Sequence, residues 1–215
     1  MKFFNTPLIK AIDAYTIEHE PVASIDLMER AARALTDAIL ERYAGRSFAV
    51  FAGPGNNGGD GLAVARMLAA VGCRVAVWLI NPKGKLSSDC AVNLERLQMI
   101  DVAVNEVRGA FEMPVLGKDT VIIDALFGSG LRTHVSGSLF ADVIERINAS
   151  GCRVVAVDIP SGLLGENNSP LSGVVVCADV TLTLQFPKLS LLMPENSRFV
   201  GMMKILDIGL SREGM

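Results

Sequence analysis

Asn56, Asn57 and Asp60 stand in the run Asn56-Asn-Gly-Gly-Asp-Gly61, which places two amides and a carboxylate among glycines. Side chains of this kind offer oxygen ligands to a hard cation and hydrogen bonds to sugar hydroxyls or phosphates. Two further carboxylates, Asp124 and Asp158, each close an apolar run and lead into a glycine-containing segment: Ala125-Leu-Phe-Gly-Ser-Gly-Leu-Arg132 and Ile159-Pro-Ser-Gly162. Ser161 adds a hydroxyl in the second. A strand-end carboxylate either caps its own turn or does acid–base work on a ligand. That both runs end alike, with a glycine loop carrying Asn and Asp elsewhere in the chain, favours a single functional site. His19 reads as a solvated helix end. His134 has no acid or nucleophile at triad spacing and reads as loop.

The elements that must position these residues follow from periodicity. Leu8 to His19 reads as a helix ending before Pro21. Ser24 caps a longer one with Ile25, Met28, Ala32, Leu35 and Ile39 at helical spacing, and Gly45 stops it. These two leading helices occupy about 8–44. From 47 to about 210 strands and helices alternate: strands at Ser47–Ala52, Arg74–Ile80, Val102–Val107, Thr120–Leu126, Arg153–Ile159, Ala178–Leu184 and within Phe199–Ile208, helices from about Asp60 to Val71, from Ser87 or Ser88 to Met99, and from Ser138 to Ser150. The continuous apolar runs before Asp124 and Asp158 suit central parallel strands covered on both faces. The fold class expected is α/β, a Rossmann-like doubly wound, mostly parallel sheet in a three-layer α/β/α arrangement, with residues 1–215 forming one domain. Ligands bind such a sheet beyond the carboxyl ends of its strands, where Asn57, Asp60, Asp124, Asp158 and Ser161 would meet if their strands are neighbours.

Gly53, Gly55 and Gly58 also satisfy G-x-G-x-x-G, and the helix that follows would aim its free N–H groups at a phosphate. A dinucleotide oxidoreductase, however, wants an acidic residue about 20 positions on to hold the ribose. The second strand ends instead in Asn81-Pro82, and no Gly-Lys-Ser/Thr closes a Walker loop. Half of the 215 residues are hydrophobic and the net charge is −3, with no Lys/Arg-rich run, so nucleic-acid binding is not expected. Cys73, Cys90, Cys152 and Cys177 form no C-x-x-C pair and read as reduced core thiols. With no signal-peptide run and no apolar stretch of ~18 residues, a cytoplasmic protein without membrane spans is expected.

Taken in order, Asn56-Asn-Gly-Gly-Asp-Gly61, Asp124-Ala-Leu-Phe-Gly-Ser-Gly-Leu131 and Val157-Asp-Ile-Pro-Ser-Gly-Leu163 resemble the YjeF N-terminal domain family. The likeness extends to the Leu27-Met28-Glu29 helix and the Pro187-Lys188 segment. Members are NAD(P)H-hydrate epimerases, isomerases that interconvert the S and R forms of a cofactor hydrated at C6 of its nicotinamide ring. The resemblance implies NADHX or NADPHX as substrate, held by Asn56, Asn57, Gly58, Gly59, Asp60, Gly128, Ser129, Gly130, Leu131, Arg132, Thr133, His134 and Asp158. It implies one K+ per subunit on Asn57, Asp124 and Ser161, and places Asp158 at the reacting end. Inversion of such a hydrate, a hemiaminal, can proceed by losing and regaining water or by opening and reclosing the ring; both routes move protons, and Asp158 is the candidate catalytic residue, able to protonate a departing oxygen and deprotonate an incoming one. The resemblance further implies a homodimer and a fused or separate ADP/ATP-dependent dehydratase. The two leading helices, with Ile25, Met28, Leu35 and Ile39 in surplus of what one sheet face needs, would contribute to the subunit interface. The segment Leu164-Gly-Glu-Asn-Asn-Ser-Pro170 departs from the family's usual continuation. A non-catalytic ligand-binding or scaffold module on the same fold is the alternative that the intact Asp158 and glycine run disfavour.

Overall fold

Phe48, Val50 and Ala52 face one side of strand β1 (Ser47–Ala52) and Ala49 and Phe51 the other, and all five are buried, so helices must cover both faces. The computed structural model describes residues 6–19, 22–166, 168 and 172–210. After α1 (Thr6–His19), α2 (Ser24–Tyr43) and β1 come α3 (Asn56–Ala70), β2 (Val75–Ile80), α4 (Ser88–Gln98), β3 (Ala103–Val107), β4 (Thr120–Ala125), α5 (Leu139–Ala149), β5 (Arg153–Val157) and β6 (Val180–Leu184). Two 3₁₀ turns, Leu189–Leu192 and Pro194–Asn196, then lead through α6 (Ser197–Val200) to β7 (Met202–Leu206). The strand order is β3-β2-β1-β4-β5-β6-β7 and every adjacent pair is parallel, where the sequence suggested only a mostly parallel sheet.

Helices α2, α3 and α4 pack on the face carrying Phe48, Val50, Ile123 and Val155, while α5 covers Phe51, Ile122 and Val154 from the other side. Ile9 and Ile12 of α1 join Leu27, Phe186 and Leu210 in a separate apolar cluster. Met28, Leu35 and Ile39, the residues whose surplus suggested a subunit interface, are buried within the chain. Ile25 is half-buried. The apolar stripe of α2 is therefore already covered.

Local chemistry sets several boundaries. Gly45 and Gly151, both at positive φ, follow the ends of α2 and α5 as expected of C′ glycines. Ser138 caps α5 by accepting from the Ala141 N–H. Ser24 does not cap α2: it is the first helical residue, and its hydroxyl donates to Asp89 on α4, tying the two helices together. The four cysteines are free thiols, but Cys177 is exposed rather than part of the core. No described helix is long and apolar enough to cross a membrane. Residues Ser211–Met215, Pro21, and Asn167, Ser169 and Pro170 of the atypical segment lie outside the described residues.

Candidate active site

Phe51, Asp124 and Ala156 are level with one another across β1, β4 and β5, so the three strands end together. The strand order reverses between β1 and β4, the place in such sheets where a crevice opens. A cleft of about 930 Å³ lies there, within the usual range for small-molecule sites. Asn56, Asn57 and Asp60 line it from α3, Gly128 to Arg132 from the loop after β4, and Asp158 from the loop after β5. The three segments singled out by sequence do converge.

Their roles divide differently from the sequence reading in one respect. Asn56 to Gly61 do not form a loop: they are the first turns of α3, which begins four residues earlier than expected. None of Gly53, Gly55, Gly58, Gly59 or Gly61 has positive φ. A Cβ on Gly58 would stand 1.8 Å from the Gly53 carbonyl oxygen, and one on Gly53 would stand 2.0 Å from that of Leu126. These glycines let the helix N-terminus press against the ends of β1 and β4. Gly58 and Gly59 accordingly face protein and do not line the cleft, whereas the first N–H groups of α3 have no intrahelical acceptor.

Asp124 lies beneath the cleft, fully buried with Ser161. Its Oδ1 accepts from the Ser161 hydroxyl (2.6 Å) and the Leu126 N–H (3.3 Å), and its Oδ2 from the Ser161 N–H (2.8 Å). The Ser161 oxygen also accepts from the Phe127 N–H at 2.9 Å, so both loops hang on one carboxylate–hydroxyl pair. Burial nevertheless outweighs these donors and pushes the Asp124 carboxyl up to about 6. The sign follows. Between about pH 4 and 6 the folded chain holds a proton that the unfolded chain releases, so stability falls as pH rises through this window. Two pKa units correspond to about 3 kcal/mol. Urea unfolding in a buffer whose only cation is tetramethylammonium is expected to record this decline. Asp124→Asn is expected to flatten it.

Asp158 occupies the left-handed region (φ 67°), one of two described non-glycine residues that do; the other, Gln185, also lines the cleft. Such conformations cost energy and collect at functional sites. One Asp158 oxygen pairs with the ammonium of Lys188, and Oδ2 accepts from the Ser129 N–H at 3.1 Å. Burial by itself would raise this carboxyl. The Lys188 charge and hydrogen bond, together with hydrogen bonds from the Ser129 backbone and side chain, overcome it and hold Asp158 below the usual carboxylate range. Asp158 therefore stands as a carboxylate at neutral pH. It can take a proton but has none to give at the outset. Its stability contribution is lost only as pH falls below about 4, outside the window of Asp124.

Gly128 shows how closely the groups approach. The point where its Cβ would sit is 3.2 Å from both Asn57 Oδ1 and Asp158 Oδ2. The Asn57 amide nitrogen is buried without a hydrogen-bond partner. Arg132 is exposed at the rim. Thr133 and His134 continue past the cleft without lining it, and the His134 Nδ1 is buried and unpartnered. Asn81, where an oxidoreductase would carry its ribose-binding acid, is spent on Glu106 and on the Lys85 N–H.

Lys188 is the functional residue that the sequence reading did not assign. It is 3% exposed, follows β6, and reaches Asp158 across the ends of two strands. The signal was present: Lys188 is the one charged residue in 181–193, an otherwise apolar or neutral run. The apolar wall contributed by Ile9, Ile17, Leu27 and Met28 was also unassigned, because nothing in α1 or α2 marks those residues as anything but core.

The family model described as YjeF-related protein N-terminus matches residues 24–190, which include every polar and charged group just placed but not Ile9 and Ile17 of the apolar wall. This chain belongs to that family. Among its relatives, the NAD(P)H-hydrate epimerase of Limosilactobacillus fermentum is 38% identical over 201 residues, covering 93% of both chains. That of Oenococcus oeni is 37% identical over 92% of each. The bifunctional NAD(P)H-hydrate repair enzyme Nnr of Thermofilum pendens is 37% identical over 99% of this chain but only 41% of its own length. A crystal structure of yeast ynu0, YNL200c, shares the fold with a TM-score of 0.79 over 100% of this chain and 92% of the other, at 22% identity. In this chain Asp158 and the helix-opening amides line one cleft, with Asp124 buried beneath it.

Proposed function

We propose that this chain is an NAD(P)H-hydrate epimerase acting on NADHX or NADPHX. The observation that carries the reading is Asp158: an ionised carboxylate in a left-handed conformation, held from two sides and facing a cleft of cofactor-binding size. The free N–H groups at the start of α3 and the Arg132 guanidinium suit the pyrophosphate. The names of the relatives above agree with this chemistry.

At C6 of the hydrate a hydroxyl and the ring nitrogen share one carbon, a hemiaminal. An ionised Asp158 favours the route that begins with a base. The carboxylate takes the hydroxyl proton, the oxygen's electrons form an aldehyde, and the C6–N bond opens with its pair delocalised through the ring alkene into the carboxamide. Rotation presents the other face of the aldehyde, the nitrogen re-adds, and Asp158 returns the proton. Nothing is consumed. The test is a time course of S-to-R interconversion with and without protein: acceleration above the spontaneous rate is expected, and no acceleration would remove the reading.

The residues present also suit a monovalent cation. Asp124 and Ser161 supply a carboxylate and a hydroxyl under the cleft, and an Asn57 side chain whose amide nitrogen is orphaned can be turned to present its oxygen instead. Among the described residues no group of three His, Cys, Asp or Glu could hold a transition metal. A set of neutral oxygens with one negative charge suits potassium. Bound there, K+ would supply the positive charge that Asp124 lacks and fix the two loops beside the substrate. Potassium is expected to stabilise the fold more at pH 7.5 than at pH 5, because only ionised Asp124 attracts it. Asp124→Asn is expected to remove the difference. A homodimer, and cooperation with a dehydratase that consumes the S form, complete the proposed setting.

A further inference from the structure

Lys188 is buried at the back of the cleft, beyond the three motifs that mark the site. An ammonium has three hydrogens to donate. Here they meet the Asp158 Oδ1, the Thr183 hydroxyl oxygen at 3.2 Å and the Leu184 carbonyl at 3.1 Å. All three are spent on the protein's own atoms. Asp158 is in the opposite condition: its oxygens accept from Lys188 and from Ser129, a carboxylate has about four lone-pair sites, and the residue lines the cleft.

The backbone is shaped to deliver Lys188 to that place. Gln185 adopts φ 57°, and the Phe186 N–H turns back to the Leu184 carbonyl at 2.6 Å, so the chain reverses immediately after β6. The Gln185 side chain fixes the turn by accepting from the Ile208 N–H. The two left-handed non-glycine residues among the described ones, Asp158 and Gln185, thus lie on the two segments that bring the carboxylate and the ammonium together.

We propose that Lys188 is a positioning residue for the epimerisation, acting only through Asp158: it fixes the carboxylate's direction and makes no contact with the substrate. The inference rests on the epimerase reading of the site. Among the described residues, the cleft-lining side chains of α1 and α2 carry no charge, and the loop after β4 brings its one charged side chain, Arg132, to the exposed rim. Among the described residues, Lys188 is the ammonium or guanidinium group that meets the carboxylate.

The experiment compares Lys188→Met and Lys188→Arg with the wild type, using circular dichroism for the fold, steady-state kinetics corrected for the spontaneous rate, and calorimetric affinity for the hydrate. Misdirecting a reacting group costs on the order of 10²-fold. Lys188→Met is expected to lose about that factor in kcat with KM within about threefold, and Lys188→Arg to recover at least about tenfold of the loss. A Lys188→Met enzyme within about threefold of wild-type kcat, a loss confined to KM, or no recovery in a folded Lys188→Arg would overturn the proposal. If Lys188→Met does not fold, because it leaves Asp158 buried and unpaired, the double variant Asp158→Asn/Lys188→Met decides the matter. Its affinity for the hydrate should equal that of Asp158→Asn within about threefold, and any weaker binding would mean that Lys188 touches the substrate itself. A wild-type protein without catalysed epimerisation would instead sink the functional reading, a separate result from any of these.

Discussion

Asp158→Asn is expected to lower catalysed S-to-R interconversion by ~10²-fold or more while leaving the fold and most of the hydrate affinity in place. Asparagine is among the residues that tolerate the left-handed region, so the φ of 67° survives the change. Its amide oxygen can still accept from Lys188 or from the Ser129 N–H. What it cannot do is bind and return a proton. Alanine would be a poorer test, because a side chain without polar atoms in this conformation adds about 1–2 kcal/mol of backbone strain and confounds chemistry with stability. The measurement is kcat and KM after subtraction of the spontaneous rate. If KM rises and kcat stays at the wild-type value, Asp158 positions the substrate and takes no part in the proton transfer. Asp124→Asn should behave differently, since that carboxylate does not line the cleft. It is expected to weaken cation and substrate binding before it changes kcat.

The two carboxylates illustrate what a sequence can and cannot say about a site. That Asp124 and Asp158 would stand at the ends of central strands followed from apolar runs of the right length and from the rules of parallel sheets; that those strands are neighbours came only with the structure. Their opposite electrostatics did not follow from the sequence either. Asp124 is pushed up because its donors are neutral and it is wholly buried, and Asp158 is held down because Lys188 reaches it from thirty residues further along the chain. Long-range pairing of that kind leaves no periodic trace; only the isolation of one lysine in an apolar stretch hinted at it. Helix boundaries failed for a related reason. Asn56 to Gly61 have the composition of a turn, yet Asn56 already opens α3, because tertiary packing against β1 and β4 outweighs the low helix propensity of glycine and asparagine.

Gly58→Ala is expected to destabilise the protein by ~3 kcal/mol or more, although alanine in place of an exposed helical glycine ordinarily stabilises by up to ~1 kcal/mol. The new Cβ would lie 1.8 Å from the Gly53 oxygen and 2.6 Å from its carbonyl carbon, atoms of a backbone pinned by the Gly53 N–H to the Ala125 carbonyl at 3.0 Å. No rotamer relieves such a contact; α3 must move away from β1, and Asn57 and Asp60 would move with it. Neighbouring glycines set the scale. Gly61→Ala meets the Ala125 Cβ at 2.5 Å and should also cost heavily, whereas Gly59→Ala meets the flexible end of Met28 at 2.8 Å and should cost less. Gly55→Ala meets nothing within 4 Å and should change stability by no more than ~0.5 kcal/mol. Urea denaturation of the four variants measures the order. Because none of these glycines has positive φ, conformational freedom predicts no such ranking. A Gly58→Ala protein as stable as the wild type, but unable to bind the hydrate, would mean that the glycine makes room for a ligand rather than for the strand beneath it.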